Sequence, residues 1–209
     1  MNTNGRAVLT LALAAGITLA VPDGRAECHW WQFGTCSDST EGLPDEAPRT
    51  GVVITIDVST NRAYLFRDGQ LIAKSGAATG SGKEFVYGND MWVFHTPRGH
   101  HKVLGRIKDP IWRKPDWAFI EAGEPIPSPN SPRRNVKGKL GKYAIDLGEG
   151  ILIHGTDDPK SIGRRVSHGC IRLPDGMMSK VYGAARVGTD VYVFDSQRPT
   201  ETAPSRDIR

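Results

Sequence analysis

Two short segments of the chain contain residues whose types and spacing could form a cysteine nucleophile with its base. The first, Ser167–Arg172, contains Cys170 with a histidine two residues before it and an arginine two residues after it. The second, Ile151–Thr156, places His154 at the end of an apolar run. A thiolate is a strong nucleophile, and a separate imidazole can take the thiol proton and stabilise the resulting ion pair. The two segments together therefore predict covalent catalysis by a cysteine.

The residues around Cys170 could shape a site for an acyl group. Gly169 has no side chain, so the backbone can approach a substrate and leave nearby amides free for an oxyanion. Arg172 could hold a substrate carboxylate, although a structural ion pair is the alternative. Both His154 and His168 are candidates for the base. His168 lies in the same extended segment as the cysteine, which does not guarantee hydrogen-bond geometry, whereas His154 comes from another segment, as bases usually do.

Two other kinds of site compete with a catalytic cysteine. His154, His168 and Cys170 could supply three zinc ligands, but the chain lacks the Cys-x-x-Cys and His-Glu-x-x-His spacings of many zinc sites. Gly82-Lys83 ends a loop of small residues, yet a phosphate-binding loop needs a hydroxyl residue where Glu84 stands. We therefore expect no bound metal and no cofactor.

The composition favours a mainly β domain with many turns. The chain has 209 residues, of which 24 are glycine, 14 are proline and 38% are hydrophobic, a combination typical of short strands. Alternation of apolar and polar residues predicts a half-buried strand at 53–58, and further strands are predicted at 62–66, 71–75, 102–107, 143–147, 151–154 and 190–194. One helix is predicted to begin at Asp175 and to run to about Arg186. The net charge of +4 is mild and no stretch is densely basic, so no nucleic acid partner is predicted.

The ends of the chain carry signs of export. Residues 1–26 combine Arg6, an apolar run and small residues before a cleavage point, which predicts a signal peptide; an uncleaved membrane anchor is the alternative. Residues 27–50 are predicted to be an N-terminal extension and linker. Export implies an oxidising compartment, in which Cys28 and Cys36 could form a disulfide and leave Cys170 free.

The remaining boundaries follow from composition. The catalytic domain is predicted at 51–195, and the polar residues 196–209 are predicted to be a disordered tail. Within the domain, 121–142 is rich in proline, glycine and basic residues. A stretch of this kind could fold over a cleft or form a disordered surface insertion.

The two chemical segments resemble the signature of the L,D-transpeptidase (YkuD) family of cell-wall enzymes, in which a histidine and a short spacer precede Ser/Thr-His-Gly-Cys. The resemblance covers roughly Val52 to Asp195. Thr96–Gly99 is similar to the family's Thr-Pro-x-Gly turn. Gly138–Gly141 corresponds to its Gly-Pro-Leu-Gly, with Lys139 in place of the proline. Weaker likenesses extend to 57–80 and 161–163.

This resemblance implies a fold and a role for each site residue. The fold would be a mainly β, mixed β-sheet sandwich with one short helix after the catalytic cysteine. Cys170 would be the nucleophile, His154 would accept and donate the proton, and the carbonyl of Gly155 would orient the imidazole. The residues grouped as catalytic are Cys170, His154, Gly155 and His168, and those that would bind substrate or the oxyanion are Ser167, Gly169 and Arg172.

The resemblance also implies a substrate class. The enzyme would attack the diamino acid carbonyl at position three of a peptidoglycan stem peptide and expel the terminal D-alanine. The acyl group would pass to another stem, to water, or to a lysine of a wall-anchored lipoprotein or outer-membrane protein. The leading hypothesis is an exported transpeptidase of the periplasm or cell-wall space. The alternatives are an L,D-carboxypeptidase or other peptidoglycan hydrolase with the same site, and a non-catalytic wall-binding module.

Overall fold

The computed structural model describes residues 40–198, which form a body of short strands with two α-helices. In chain order the strands are β1 Val52–Asp57, β2 Arg62–Arg67, β3 Gln70–Gly76, β4 Thr79–Gly80, β5 Glu84–Tyr87, β6 Asp90–Val93, β7 Gly99–Lys102, β8 Gly105–Lys108, β9 Ile111–Arg113, β10 Asn135–Lys137, β11 Tyr143–Asp146, β12 Leu152–His154, β13 Arg165–Ser167, β14 Ile171–Arg172 and β15 Asp190–Phe194. The helices are α1 Asp116–Glu121 and α2 Asp175–Ala184, and short 3-10 turns occur at Pro132–Arg134 and Pro159–Ser161. None of the helices in this range is long and apolar enough to cross a membrane.

Two mixed sheets form the body of the domain. The larger sheet has the order β3-β2-β1-β15-β7, in which β1 and β15 run parallel and the other pairs are antiparallel. The smaller sheet has the order β14-β12-β11-β8, in which only β12 and β14 are parallel. Short pairs join β9 to β10, β4 to β13 and β5 to β6. The predicted fold class, mainly β with mixed sheets, is therefore confirmed.

The main hydrophobic core draws side chains from both sheets and from α2. Its fully buried members include Ile54, Ile56, Ile145, Ile153, Ile171 and Val181. Burial of each such side chain stabilises the fold by about 1.5–3 kcal/mol. Helix α2 begins at the predicted Asp175 and ends at Ala184, close to the predicted end.

Strand β1 is buried on both faces, so the prediction of a half-buried strand is wrong. Leu43 and Ala47 pack against Val53 on the face that points away from the main core. The hydroxyl of Thr55 donates a hydrogen bond to the backbone carbonyl of Gly42, next to Leu43, at 2.5 Å. The end of the stretch predicted as a linker thus covers the larger sheet, which sequence alternation within β1 alone could not reveal.

The segment between β8 and β11 contains strands and a helix. This cover segment, Ile111–Lys137, contains β9, α1, the 3-10 turn Pro132–Arg134 and β10, which pairs antiparallel with β9. It includes most of the stretch at 121–142 for which the sequence left two interpretations open. Helix α1, with only six residues, was not predicted.

Several predictions lie outside the described residues. These are the signal peptide at 1–26, the disulfide between Cys28 and Cys36, and the tail beyond residue 198. They stay predictions. Within residues 40–198 Cys170 is a free thiol.

Candidate active site

The parallel pairing of β12 with β14 brings the two predicted chemical segments together. Ile153 lies opposite Ile171, and His154 lies opposite Arg172. Side chains alternate between the two faces of a strand, so both isoleucines point into the core. Cys170, His154 and Arg172 lie on the other face, and all three line one pocket of about 800 Å³.

The thiol of Cys170 is held by backbone groups. The N–H of Leu152 donates to Sγ at 3.4 Å, and the thiol donates to the carbonyl of Gly150 at 3.5 Å. Burial raises the pKa of Cys170, while the hydrogen bond from Leu152 and the charge of Arg172 act in the opposite direction with smaller effect. Burial thus favours the neutral form of the thiol, and His154 is not among the groups that shift its pKa. The ion pair between His154 and the thiol stays a prediction, which the pH profile of alkylation tests.

His154 is buried and has a fixed tautomer. Its side chain is almost fully covered, with 4% of the residue exposed. Nδ1 lies 2.5 Å from the carbonyl oxygen of Gly155. A carbonyl only accepts hydrogen bonds, so Nδ1 carries the hydrogen and Nε2 keeps a lone pair. Burial lowers the pKa of His154 to about 4, although the bond to Gly155 opposes this shift.

The position of Gly155 leaves little room for a side chain. A Cβ there would lie 3.1 Å from Cα of Gly141 and 3.2 Å from Oδ1 of Asp175. Gly141 belongs to the segment that resembles Gly-Pro-Leu-Gly. The close packing of these two glycines fixes the carbonyl that holds the His154 ring.

The hydroxyl of Ser167 is occupied within the loop that carries the thiol. It donates to the carbonyl of Cys170 at 2.5 Å and accepts from the N–H of Gly169 at 3.3 Å. Gly169 has a φ of +123°, a conformation that favours glycine. Ser167 therefore shapes the loop that carries the thiol, and it also lines the pocket; its contact with a substrate stays a prediction.

His168 faces the cover segment. Its Nε2 donates to Oε2 of Glu121 at 3.0 Å. The ring stacks on Trp117 with 4.1 Å between centroids and meets the ring of Phe94 edge-on at 4.3 Å. Burial lowers the pKa of His168, whereas Glu121 acts to raise it. The structure thus places His168 between the nucleophile loop and α1, with Nε2 directed at Glu121.

Arg172 is the cation of the site. No described residue forms an ion pair with its guanidinium, whereas its charge acts on His154, His168 and Cys170. The alternative of a structural ion pair is therefore not seen in the described part of the chain. A guanidinium at the wall of a pocket can bind a carboxylate through two parallel hydrogen bonds.

The cover segment supplies pocket residues that sequence reasoning missed. Among them are Trp112, Arg113, Lys114, Trp117 and Glu121, and Glu149 lies elsewhere on the wall. The run Ile-Trp-Arg-Lys-Pro-Asp-Trp, with its aromatic and cationic residues, was the available signal. Between residues 40 and 198 no group of three or more His, Cys, Asp and Glu side chains is arranged to hold a metal.

Comparison with known proteins gives a consistent result. A protein-family model described as the L,D-transpeptidase catalytic domain (YkuD) matches residues 51–193. A putative L,D-transpeptidase of Fuscovulum blasticum is 35% identical over 108 residues, which cover 47% of this chain and 51% of that protein. The probable L,D-transpeptidase YbiS of Escherichia coli (strain K12) is 36% identical over 111 residues, covering 49% of this chain and 34% of that protein. The match spans about half or less of these relatives.

A solved structure shows the same fold. The crystal structure of an L,D-transpeptidase from Xylanimonas cellulosilytica superimposes with a TM-score of 0.52 and covers 72% of this chain and 63% of that one. The two sequences are 19% identical, so this likeness concerns the fold alone.

Proposed function

The chain belongs to the L,D-transpeptidase (YkuD) catalytic-domain family, and we propose that it is an exported cysteine acyltransferase acting on peptidoglycan stem peptides. One observation carries the proposal: Cys170, His154 and Arg172 share one face of the smaller sheet and line the same pocket. A nucleophile, a base and a carboxylate-binding cation are thereby present at one site.

The first half-reaction forms a thioester. Sγ of Cys170 attacks the diamino acid carbonyl of the donor stem while Nε2 of His154 takes the thiol proton. The Cys170 N–H stabilises the oxyanion, and Arg172 binds a carboxylate of the donor. When the tetrahedral intermediate collapses, the C–N bond to D-alanine breaks and the His154 imidazolium protonates the leaving amine. The products of this step are D-alanine and the acyl-enzyme.

The second half-reaction transfers the acyl group. An acceptor amine attacks the thioester, His154 takes its proton, and the C–S bond breaks to return the thiol. An amine competes with water only when it is held in attack geometry, where effective molarities of about 10⁵ M or more are possible. The pocket of about 800 Å³, with cations on the cover segment, supports binding of an acceptor stem beside the donor. A wall-anchored lipoprotein or outer-membrane protein is an acceptor of the same chemistry.

The proposal also includes the compartment. The predicted signal peptide at 1–26 supports export to the periplasm or cell-wall space, where the wall polymer is found. Cell fractionation followed by N-terminal sequencing of the exported form tests this part. Cleavage after Ala26 is the expected result, and retention in the cytoplasm would contradict it.

Product analysis with purified tetrapeptide muropeptides tests the activity. We expect the full chain to release D-alanine and to form cross-linked dimers, and the Cys170→Ser variant to form neither at matched thermal stability. Formation of tripeptide alone would replace the transferase with the hydrolase. If the thiol is intact but no muropeptide acylates it, the substrate assignment is wrong.

A further inference from the structure

We propose that Thr96 is a positioning residue for acyl transfer: its hydroxyl holds the peptide group between Gly169 and Cys170, so that the Cys170 N–H faces the oxyanion. This inference deepens the proposed function and rests on it only in assuming that Cys170 is acylated. Thr96 was noticed in the sequence solely as the start of a turn.

The hydrogen bonds of Thr96 have a fixed direction. Its hydroxyl oxygen is 2.8 Å from the N–H nitrogen of Gly80 and 2.8 Å from the carbonyl oxygen of Gly169. An amide N–H can only donate, so Oγ1 accepts from Gly80. The single hydroxyl hydrogen is therefore donated to Gly169. Thr96 itself is buried, with 7% of the residue exposed.

A fixed carbonyl fixes the amide of the next residue. The peptide group is planar and trans, so the C=O of Gly169 and the N–H of Cys170 point in opposite directions. Ser167 occupies the N–H of Gly169 and the C=O of Cys170. Of the polar backbone groups of these two residues, the Cys170 N–H alone has no acceptor within the described part of the chain. It remains available for a substrate oxygen.

The surrounding backbone prevents Thr96 from moving away. A Cβ on Gly80 would lie 2.5 Å from the N atom of Thr96, and a Cβ on Gly169 would lie 3.1 Å from the carbonyl oxygen of His95. The chain from His95 to Thr96 thus passes between two glycines at close contact. A hydroxyl at this crossing can reach both partners without a change of backbone.

The hydrogen bonds from Gly80 to Thr96 and from Thr96 to Gly169 all run in the same direction. Gly80 donates to Thr96, Thr96 donates to Gly169, and the amide that shares this peptide group belongs to Cys170. Consecutive hydrogen bonds of this kind polarise one another. Donation to the Gly169 carbonyl therefore makes the Cys170 N–H a stronger donor as well as a better oriented one.

The test compares two reactions of the same thiol in the full chain. Acylation by p-nitrophenyl acetate passes through an oxyanion: the C–S bond forms, p-nitrophenolate leaves and the thiol proton is lost to His154 or solvent. Alkylation by iodoacetamide displaces iodide at carbon and forms no oxyanion. A residue that positions the oxyanion donor should affect the first reaction and spare the second.

We expect Thr96→Val to lower the acylation rate by about 10- to 100-fold, less than the 10²–10³-fold typical of complete loss of an oxyanion donor. Its alkylation rate and pH profile should stay close to those of the unmodified chain. Thr96→Ser keeps the hydroxyl and should restore acylation. Thr96→Ala leaves space for water at the Gly80 N–H, and should show the same separation of rates if the valine variant does not fold.

Equal losses in acylation and alkylation would show that Thr96 only supports the fold and would overturn the proposal. So would unchanged acylation in the valine and alanine variants, or a serine variant as slow as valine. The small ester probe is independent of the wall substrate. If the unmodified chain reacts with this ester but not with muropeptides, the proposed function fails while the role of Thr96 stands.

Discussion

Cys170 and His154 lie on one face of the smaller sheet, where burial acts on each of them in favour of the neutral form. The pKa of the thiol is raised, and that of the imidazole is lowered to about 4. A resting thiolate–imidazolium pair would need the opposite shifts. The proton should therefore move while the thiol attacks the carbonyl, with Nε2 of His154 as general base.

The pH dependence of alkylation tests this resting state. We expect the iodoacetamide rate constant to rise with pH to a midpoint above 9.0, the ordinary value for the thiol, because burial disfavours the thiolate. His154→Ala should leave that midpoint nearly unchanged, since His154 does not set it. A midpoint near neutral pH that disappears in His154→Ala would instead show a preformed ion pair.

Acylation should respond to the same substitution in another way. General base catalysis contributes about 10²–10⁴-fold, so His154→Ala should slow acylation by p-nitrophenyl acetate by that order. His168→Gln serves as the comparison, because its ring nitrogen contacts Glu121 rather than the thiol. A larger loss in His168→Gln than in His154→Ala would show that the base has been misassigned.

Residues whose role depends on local sequence were predictable, and those that depend on distant contacts were not. Cys170, His154 and Gly155 follow from two short motifs. Thr96 and Glu121 act across 73 and 47 residues of chain, respectively, so no local spacing connects them to the site. His168 was grouped with the catalytic residues by its place in the motif, and its contacts with α1 were not predicted.

At the scale of elements, Arg134 joins several parts of the cover segment. The guanidinium of Arg134 donates to the carbonyls of Pro127, Ser128 and Lys114, at 2.7, 3.1 and 3.2 Å respectively. It also lies 2.6 Å from a carboxylate oxygen of Asp116 at the start of α1. Arg134 is 7% exposed, so its loss would leave buried carbonyls without a donor.

We therefore predict that Arg134→Met lowers the free energy of unfolding by about 2–4 kcal/mol, because several charge-assisted hydrogen bonds are lost together. It should also make the cover segment sensitive to limited proteolysis. Arg133→Met is the matched control, since Arg133 is exposed and its ion pair with Glu124 spans 3.7 Å at the surface. Equal protease resistance of the two variants would show that Arg134 does not hold the segment.

The contacts of Arg134 also lie within the stretch that could bind an acceptor stem. Shortening Pro127–Val136 would remove Arg134 together with two of its acceptors. Any shift from cross-linked to tripeptide products in such a variant would mix loss of acceptor binding with loss of order. Substitution of Lys139 separates the two effects more cleanly, because this cation of the pocket wall lies outside the cover segment and its ion pair with Asp157 is at the surface.

Prediction of the elements succeeded where a periodic pattern is long enough. Helix α2 and six strands of the two sheets, β1, β2, β3, β11, β12 and β15, were predicted from local patterns. Strands β7 and β14 were not predicted, and the predicted strand at 102–107 is divided between β7 and β8. Helix α1 has only six residues and Pro115 before it makes no side-chain cap bond, so the acidic Asp116 in its first turn is a weak start signal. The burial of both faces of β1 depends on Leu43 and Ala47, which lie before the predicted domain boundary.

At the scale of the whole molecule, the buried histidines link folding to pH. His154 has a folded-state pKa of about 4, below the value of 6.5 for an exposed histidine. As the pH falls, the unfolded chain therefore binds a proton at His154 at a higher pH than the folded chain does. Burial also lowers the pKa of His168, which adds to the same dependence. Burial acts to raise the pKa of Asp57, but hydrogen bonds from Ser196, Ser59 and Thr60 together lower it from its ordinary value of 3.8. Asp57 therefore affects the pH dependence of stability only at more acidic pH.

The sign of the dependence follows from proton binding. Above pH 6.5 His154 is neutral in both states, so its contribution to stability is complete. As the pH falls from 6.5 to about 4, protonation favours the unfolded chain, and a shift of this size corresponds to a loss of about 3 kcal/mol.

Denaturant unfolding at a series of pH values should show this loss in the unmodified chain. His154→Gln should remove most of the slope between these pH values, whatever its stability at pH 7, because glutamine does not titrate. His168→Gln should remove a smaller part, since His168 is only half-buried and Glu121 favours its charged form. A slope in His154→Gln equal to that of the unmodified chain would mean that other groups cause the acid sensitivity, and that His154 is not neutral and buried in the folded protein.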